Sequence, residues 1–444
     1  VTGEDLAAIA LVLAVLGGSL MGVARAPLAP ELARKLVHVA MGTVALAFPW
    51  LFSGPVPVFV LAGAALVALL ALRAVPALRG RLGGALHGVG RGSLGEVYFP
   101  IAVALVFVLA RDEPLLYLIP IGVMTLADAL AALIGTRYGT THFTTADGIK
   151  SLEGSVAFFV VTFLACHLPL LLLSDIGRVE SLLIALVVAW VVTLTEAMAW
   201  GGLDNLLVPI ASFTLLQGNL PRSPSALLMD LAVLAILSAV VVAWRRRTNL
   251  LGDALIAAVL LGYLTWTFGG WRWLVPPLIT FLVYLRLWAR GSASGGRLHL
   301  AGVLGMATAG LLWLFPASWL SRPDWLYPYT VSHAAALASV GVIELDRLRP
   351  RPSHRRILLV ASLPAWALML GAWWVMAPPR VGTAALAAAA LAVVWLSTAA
   401  FGHLWRRLCR AGLTEAHWLA QAGTALAASL LAFVVQLTLA PRHG

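Results

Sequence analysis

Long apolar runs, broken by short polar or basic stretches, account for most of the chain. They fall at 6–24, 36–52, 56–75, 97–110, 115–135, 153–173, 181–200, 206–218, 226–244, 250–268, 271–287, 298–316, 326–343, 357–377, 381–401 and 413–439. A helix satisfies its own backbone hydrogen bonds in lipid, and one crossing takes roughly 20 apolar residues. The pattern predicts an all-α fold, a polytopic transmembrane helical bundle of about 14–16 membrane segments. The runs 97–110 and 206–218 are short for a bilayer, a length that also fits half-helices or re-entrant segments buried in protein. The first run, Leu6 to Ala24, follows Glu4 and Asp5 rather than a basic leader, so it reads as a span that stays.

Composition supports this reading. The chain of 444 residues is 61% hydrophobic and 11% charged, too few charges to cover so much apolar surface in a soluble fold. The net charge of +11 would point to nucleic acid in a soluble protein. Here the basic residues sit in short loops and set topology instead, so no nucleic-acid partner is expected. Alternate loops, beginning with 25–35, hold 23 of the 30 basic residues and the opposite set holds 7. That bias puts the first set in the cytoplasm of a multi-pass cell-membrane protein, with both termini outside. The alternation requires 206–218 to cross. Cys166 and Cys409 match no zinc spacing and demand no disulfide.

Only two of the 30 basic residues are lysine, Lys35 and Lys150. Arginine serves topology equally well, and an ammonium meets phosphate as a compact point charge, so both lysines are candidates for chemistry. Chemistry-bearing residues concentrate before Pro221-Arg222-Ser223-Pro224. Beyond it the spans are rich in Ala, Leu, Val and Trp, with acids mainly near span ends and no convincing repeat of the earlier pattern. Residues 1–218 are read as the working module and 219–444 as an additional multi-span region of unknown function.

The central stretch runs from Asp128 to Ser155. A carboxylate inside a span costs roughly 2.5 kcal/mol or more if it faces lipid, so Asp128 should face a polar cavity or a cation. Gly135 lies two turns on, on the same face, and Gly139 follows four residues later. The glycines alone fit a small-residue packing motif; Asp128 on their face weakens that reading. Next come Lys150-Ser151-Leu152-Glu153-Gly154-Ser155, where Ser151 is a plausible N-cap. Such an end is either an ordinary capped helix start or a phosphate site, with free N–H groups, the Lys150 charge and hydroxyls. It is not a P-loop, because Ile149 separates Gly148 from Lys150.

Three flanking pieces complete the candidate set. Glu196 and Asp204 surround Gly201-Gly202, with Asn205 following; two carboxylates and an amide at a membrane boundary suit Mg²⁺. A solvated loop accounts for Asp204 but poorly for Glu196, inside the run Val191 to Ala199. Gly83 to Glu96, containing Arg91, is a flexible basic loop or a plain linker. Lys35 and His38 share a face at the opening of the second span, either snorkelling to the interface or meeting a nucleotide or lipid headgroup. In the charge-based topology all these pieces lie on the cytoplasmic side.

Together these pieces resemble the family of CTP-dependent lipid-alcohol kinases: phytol kinase, dolichol kinase and their bacterial relatives. The resemblance rests on Arg34-Lys35-Leu36-Val37-His38, on Asp128, Gly135, Gly139 and Lys150 to Ser155, and on Glu196 with Asp204-Asn205-Leu206-Leu207-Val208-Pro209. Gly90-Arg91-Gly92-Ser93 with Gly95-Glu96-Val97-Tyr98 is also similar. It covers about residues 25–218, roughly one such domain. It implies transfer of the γ-phosphoryl group of a nucleoside triphosphate, CTP, to a membrane-embedded isoprenoid alcohol of phytol, farnesol, polyprenol or dolichol type. The implied catalytic residues are Asp128, Lys150 and Glu153. Lys35, His38, Arg91, Gly135, Gly139, Ser151, Gly154 and Ser155 would bind nucleotide, and Glu196, Asp204 and Asn205 would hold Mg²⁺. Two competing readings are a phosphatidate-cytidylyltransferase-like enzyme, whose longer basic and acidic signature is not seen here, and a lipid or solute transporter, for which no inverted repeat is seen.

Overall fold

A computed structural model describes residues 2–74, 94–110, 113–145, 148–245, 248, 250–291, 300–347, 353–376, 382–408 and 415–439. The described chain is helical except for one hairpin. The helices are α1 (Gly3–Arg25), α2 (Pro30–Leu46), α3 (Phe48–Leu51), α4 (Pro55–Ala74), α5 (Gly95–Ala110), α6 (Pro114–Tyr138), α7 (Leu152–Leu173), α8 (Arg178–Met198), α9 (Asp204–Asn219) and α10 (Pro224–Trp244). They continue with α11 (Gly252–Gly269), α12 (Trp271–Gly291), α13 (Leu300–Trp319), α14 (Leu326–Arg347), α15 (His354–Met376), α16 (Thr383–Leu408) and α17 (Glu415–Leu439). Among the described residues, 11 helices are long and apolar enough to cross a membrane, and two shorter apolar helices lie at Pro55–Ala71 and Gly95–Ala110. The protein is a polytopic all-α membrane protein, as its hydropathy pattern predicts. The expected 14–16 segments also included the shorter apolar runs.

Helix limits follow local chemistry. Proline stands at the first position of α2 and α6, where its missing N–H is unneeded. The α2 helix begins at Pro30 rather than near residue 36, so Arg34 and Lys35 lie within it, as His38 does, and not in a loop before it. Charged residues lengthen a membrane helix in this way when the protein interior supplies partners for them. The polar stretch between the apolar runs 115–135 and 153–173 forms the end of α6 and a small antiparallel hairpin, β1 (His142–Thr145) and β2 (Gly148–Ser151), pairing Phe143 with Lys150 and His142 with Ser151. Its run of threonines suits extended backbone.

The chain divides into two compact units, Val1–Ala232 and Val233–Gly444, a division that falls inside α10. In the first, α6 packs against α7, α2 and α9, while α9 also packs on α5 and α8. Ile121, Val123 and Ala127 of α6 are fully buried. In the second, α14 is the central helix, packed by α13, α15, α16 and α17. Its buried Ala334, Ala335, Ala336 and Ala338 permit close approach where lipid gives helices no hydrophobic drive to associate.

One contact sets the distance between α2 and α6. A Cβ on Gly42 would lie 2.0 Å from Thr125 Oγ1 and 2.7 Å from Thr125 Cβ. Gly42→Val should therefore destabilise the folded protein by about 1–3 kcal/mol, read as a lower denaturation midpoint in detergent. Gly63→Val, at a position with nothing within 4 Å, should leave that midpoint in place.

Candidate active site

The site is built on α6. Asp128 occurs midway along it, and α2 lies alongside with Lys35 and His38 one turn apart. Lys35 Nζ is 2.7 Å from Asp128 Oδ2 and 3.5 Å from the Asp128 carbonyl oxygen. Lys35 is only 5% exposed, so it does not snorkel to the interface; its ammonium turns inward. His38 Nε2 lies 3.0 Å from the Met124 carbonyl oxygen and 3.7 Å from Asp128 Oδ2. Its ring meets the edge of Phe99 on α5, centroids 5.3 Å apart.

The hairpin and the start of α7 deliver the second lysine. Gly148, with φ of +122°, opens β2 in a conformation that side chains rarely adopt. Two residues later Lys150 Nζ donates to Glu196 Oε1 at 2.8 Å and to the Glu196 carbonyl oxygen at 2.6 Å. Ser151 is the N-cap of α7, its Oγ accepting from the Gly154 N–H at 3.2 Å. The three glycines gather around this serine. A Cβ on Gly135 would meet Ser151 Oγ at 2.8 Å, one on Gly139 would meet Ser151 Cβ at 2.8 Å, and one on Gly154 would meet Gly135 Cα at 3.2 Å. They let the end of α6 and the start of α7 touch backbone to backbone. Ser155 Oγ donates to the Ser151 carbonyl oxygen. Glu153 accepts from the Thr140 hydroxyl and, at 3.0 Å, from the Thr141 N–H, tying α7 to the strand connection.

The third part is the turn between α8 and α9. Gly201 and Gly202 both have positive φ, 63° and 84°, so the chain reverses within a few residues of Glu196 and starts α9 at Asp204. The Gly201 carbonyl oxygen accepts from the Leu94 N–H at 2.9 Å, which brings the end of the Gly-rich segment to this turn. Arg91 lies outside the described residues. Asp204 sits in the combined electrostatic field of Asp128, Lys150, Glu196 and Lys35, so the predicted residues from α2, α6, β2, α8 and α9 form one cluster. Asn205 follows in the first turn of α9, its N–H donating to the Gly202 carbonyl oxygen. The sequence reading missed the pairing of each lysine, the Thr140–Thr141 clamp and the Leu94–Gly201 contact. One signal for the first was present: an isolated lysine and an isolated carboxylate at helical positions need each other in lipid.

The cluster holds two lysine–carboxylate pairs and a third carboxylate, Asp204, that makes no hydrogen bond or ion pair among the described residues. Among those residues no group of three or more His, Cys, Asp and Glu could hold a metal ion by itself. An ion that takes one or two carboxylates and completes its shell with water and substrate phosphates, as Mg²⁺ does, fits Asp204.

Fold and site together define a polytopic membrane protein with paired lysines and carboxylates drawn from several of its helices. Comparison with known proteins gives the family. No family model and no solved structure matches the chain. The phytol kinase of Synechocystis sp. is 34% identical over 190 residues, 41% of this chain and 76% of that protein. The chain belongs to the phytol kinase family.

Removing one member of a buried ion pair leaves the other charge stranded. Lys35→Ala should cost about 3 kcal/mol of stability, and Lys35→Ala with Asp128→Asn should recover most of it. Urea or thermal denaturation in detergent measures both; equal midpoints for the single and double variants would contradict the pairing.

Proposed function

We propose that the protein is a membrane lipid kinase that transfers the γ-phosphoryl group of a nucleoside triphosphate, CTP, to the hydroxyl of an isoprenoid alcohol. The observation that carries this reading is the convergence of Lys150, the capped start of α7, Glu196 and Asp204 beside the Lys35–Asp128 pair. It occurs in a chain that belongs to the phytol kinase family. The 23 to 7 distribution of basic residues supports a site on the cytoplasmic face of the cell membrane, where nucleotide is available.

Phosphoryl transfer asks mainly for positioning and charge neutralisation. A lysine ammonium has three donors, and Lys150 uses two on Glu196. The third reaches a phosphate oxygen, while the N-terminal end of α7 turns the positive end of its helix dipole toward the polyphosphate. Gly135, Gly139 and Gly154 keep backbone close at this point. Mg²⁺, when bound, neutralises charge on the β- and γ-phosphates, and Asp204 with Glu196 and Asn205 would hold it. Lys35 and His38 fix the carboxylate of Asp128, which accepts the proton of the attacking hydroxyl. The alcohol oxygen forms a bond to the γ-phosphorus as the bond from that phosphorus to the β–γ bridging oxygen breaks. A nucleoside diphosphate and a lipid monophosphate leave. Glu153 holds the hairpin through Thr140 and Thr141 and so supports Lys150.

Purified protein given γ-labelled CTP, Mg²⁺ and phytol, farnesol, geranylgeraniol, long polyprenols or diacylglycerol should place label in an extractable lipid. ATP, GTP and UTP in parallel identify the donor. Label entering lipid only from α-labelled CTP, with pyrophosphate released, would instead mean a cytidylyltransferase. Lys150→Ala should lower kcat by about 10²–10³-fold with the protein still folded, and near-normal turnover would remove Lys150 from the mechanism.

Chelation should stop the transfer and Mg²⁺ restore it. In Asp204→Asn the Mg²⁺ concentration for half-maximal rate should rise at least about tenfold. An unaltered Mg²⁺ dependence in this variant would take Asp204 out of the metal's shell.

A further inference from the structure

The second unit contains a cavity of ≈ 100 Å³ enclosed by α10, α11, α12, α13 and α14. Its walls are mostly aliphatic, among them Leu237, Val259, Leu278, Val303 and Leu311, and among the described residues no Asp, Glu, Lys or Arg lines it. One polar side chain in the wall is left without a partner. His333, on the central helix α14, is 4% exposed, and neither Nδ1 nor Nε2 makes a hydrogen bond. Its ring is held edge-on by Tyr329, centroids 4.6 Å apart. On α13, a Cβ at Gly310 would lie 2.8 Å from Nε2, so glycine at this position makes room for the ring.

Buried polar atoms are normally satisfied, and those that are not ask for an explanation. Water is a poor one here. A buried water takes two to four polar partners, and three of the other hydroxyls lining the cavity donate elsewhere. Thr265 donates to the Gly262 carbonyl oxygen, Thr280 to that of Pro276 and Tyr329 to that of Trp273. The empty ring nitrogens indicate the missing group. A neutral imidazole presents one donor and one acceptor, and a hydroxyl answers both. An anion would need a cation in the wall, and none is there. The apolar walls ask for hydrocarbon, and a cavity of this order accepts a fragment about the size of benzene, enough for the head end of a longer chain.

We propose that this cavity is a binding site for an apolar alcohol, with its hydroxyl on His333 and the first carbons of its chain between α11, α12 and α13. The inference rests on the second unit alone and does not depend on the kinase reading of the first. Prenols and diacylglycerols share this chemistry.

The test uses full-length purified protein in detergent, a diazirine-bearing farnesol and the matching hydrocarbon without the hydroxyl. Adducts are mapped by peptide mass spectrometry. The farnesol probe should label residues within 237–333 more strongly than the hydrocarbon does. His333→Phe, which keeps a ring and loses both nitrogens, should weaken alcohol labelling there about five- to tenfold and leave hydrocarbon labelling unchanged. Ala307→Phe, which fills the cavity, should abolish both, so the result does not depend on one variant folding. Unlabelled prenol and unlabelled diacylglycerol, competing in separate arms, assign the alcohol to its source. Adducts confined to residues before 232 would overturn the proposal while leaving the kinase reading intact. Equal labelling by alcohol and hydrocarbon, insensitive to His333→Phe, would overturn it as well.

Discussion

A charge within a membrane protein must be paired, and the Lys35–Asp128 ion pair is where that constraint shapes this molecule. Neither residue is tolerable alone against hydrocarbon. Together, at 2.7 Å, they join two helices whose contributing residues lie 93 positions apart in the chain. The pair accounts for the N-terminal extension of α2, for the inward aim of His38, and for the need for a glycine at position 42, where α2 and α6 come too close for any side chain. It also holds a carboxylate in a fixed position at the heart of the first unit.

The second lysine repeats the logic with different means. Lys150 is carried on a strand, not a helix, and meets Glu196 across 46 positions of sequence. Its placement depends on close packing rather than on burial of apolar area, since lipid supplies no hydrophobic drive between helices. Gly135, Gly139 and Gly154 bring two backbones together around Ser151, and Glu153 secures the hairpin from the other side. The two lysine-bearing stretches thus become one charge cluster, closed by the Gly201–Gly202 turn that returns the chain to Asp204.

Most of the helices were legible from hydropathy, because a run of about 20 apolar residues has few alternatives in lipid. The exceptions follow from what periodicity cannot carry. It placed Lys35 and His38 on a common face but gave no partner, and without Asp128 in view the charges of α2 looked like the end of a loop. It gave Gly135 and Gly139 a shared face but could not name Ser151 and Gly154 as what that face meets. The hairpin escaped because four-residue strands in a threonine-rich stretch carry too short a pattern to separate from loop. Unequal use of the two basic residue types was the better guide: both lysines turned out to be paired with a carboxylate on a different element, whereas Arg137 lies exposed over the Tyr138 ring. In the second unit, composition announced spans and nothing else, since a histidine stripped of partners is visible only once its surroundings are known.

Two neighbouring helices, α5 and α9, are 16 residues long, about 24 Å, against a hydrocarbon thickness of about 30 Å. They pack on one another, so the shortfall is local. Mismatch of this kind is relieved by thinning the bilayer around the short segment. With 206–218 crossing, as the charge alternation requires, water and headgroups would dip below their usual level at the head of α9, where Asp204 stands. On the proposed kinase reading, a water-soluble donor and an acceptor dissolved in the membrane would then meet at a common depth, and neither would have to leave its own solvent to do so.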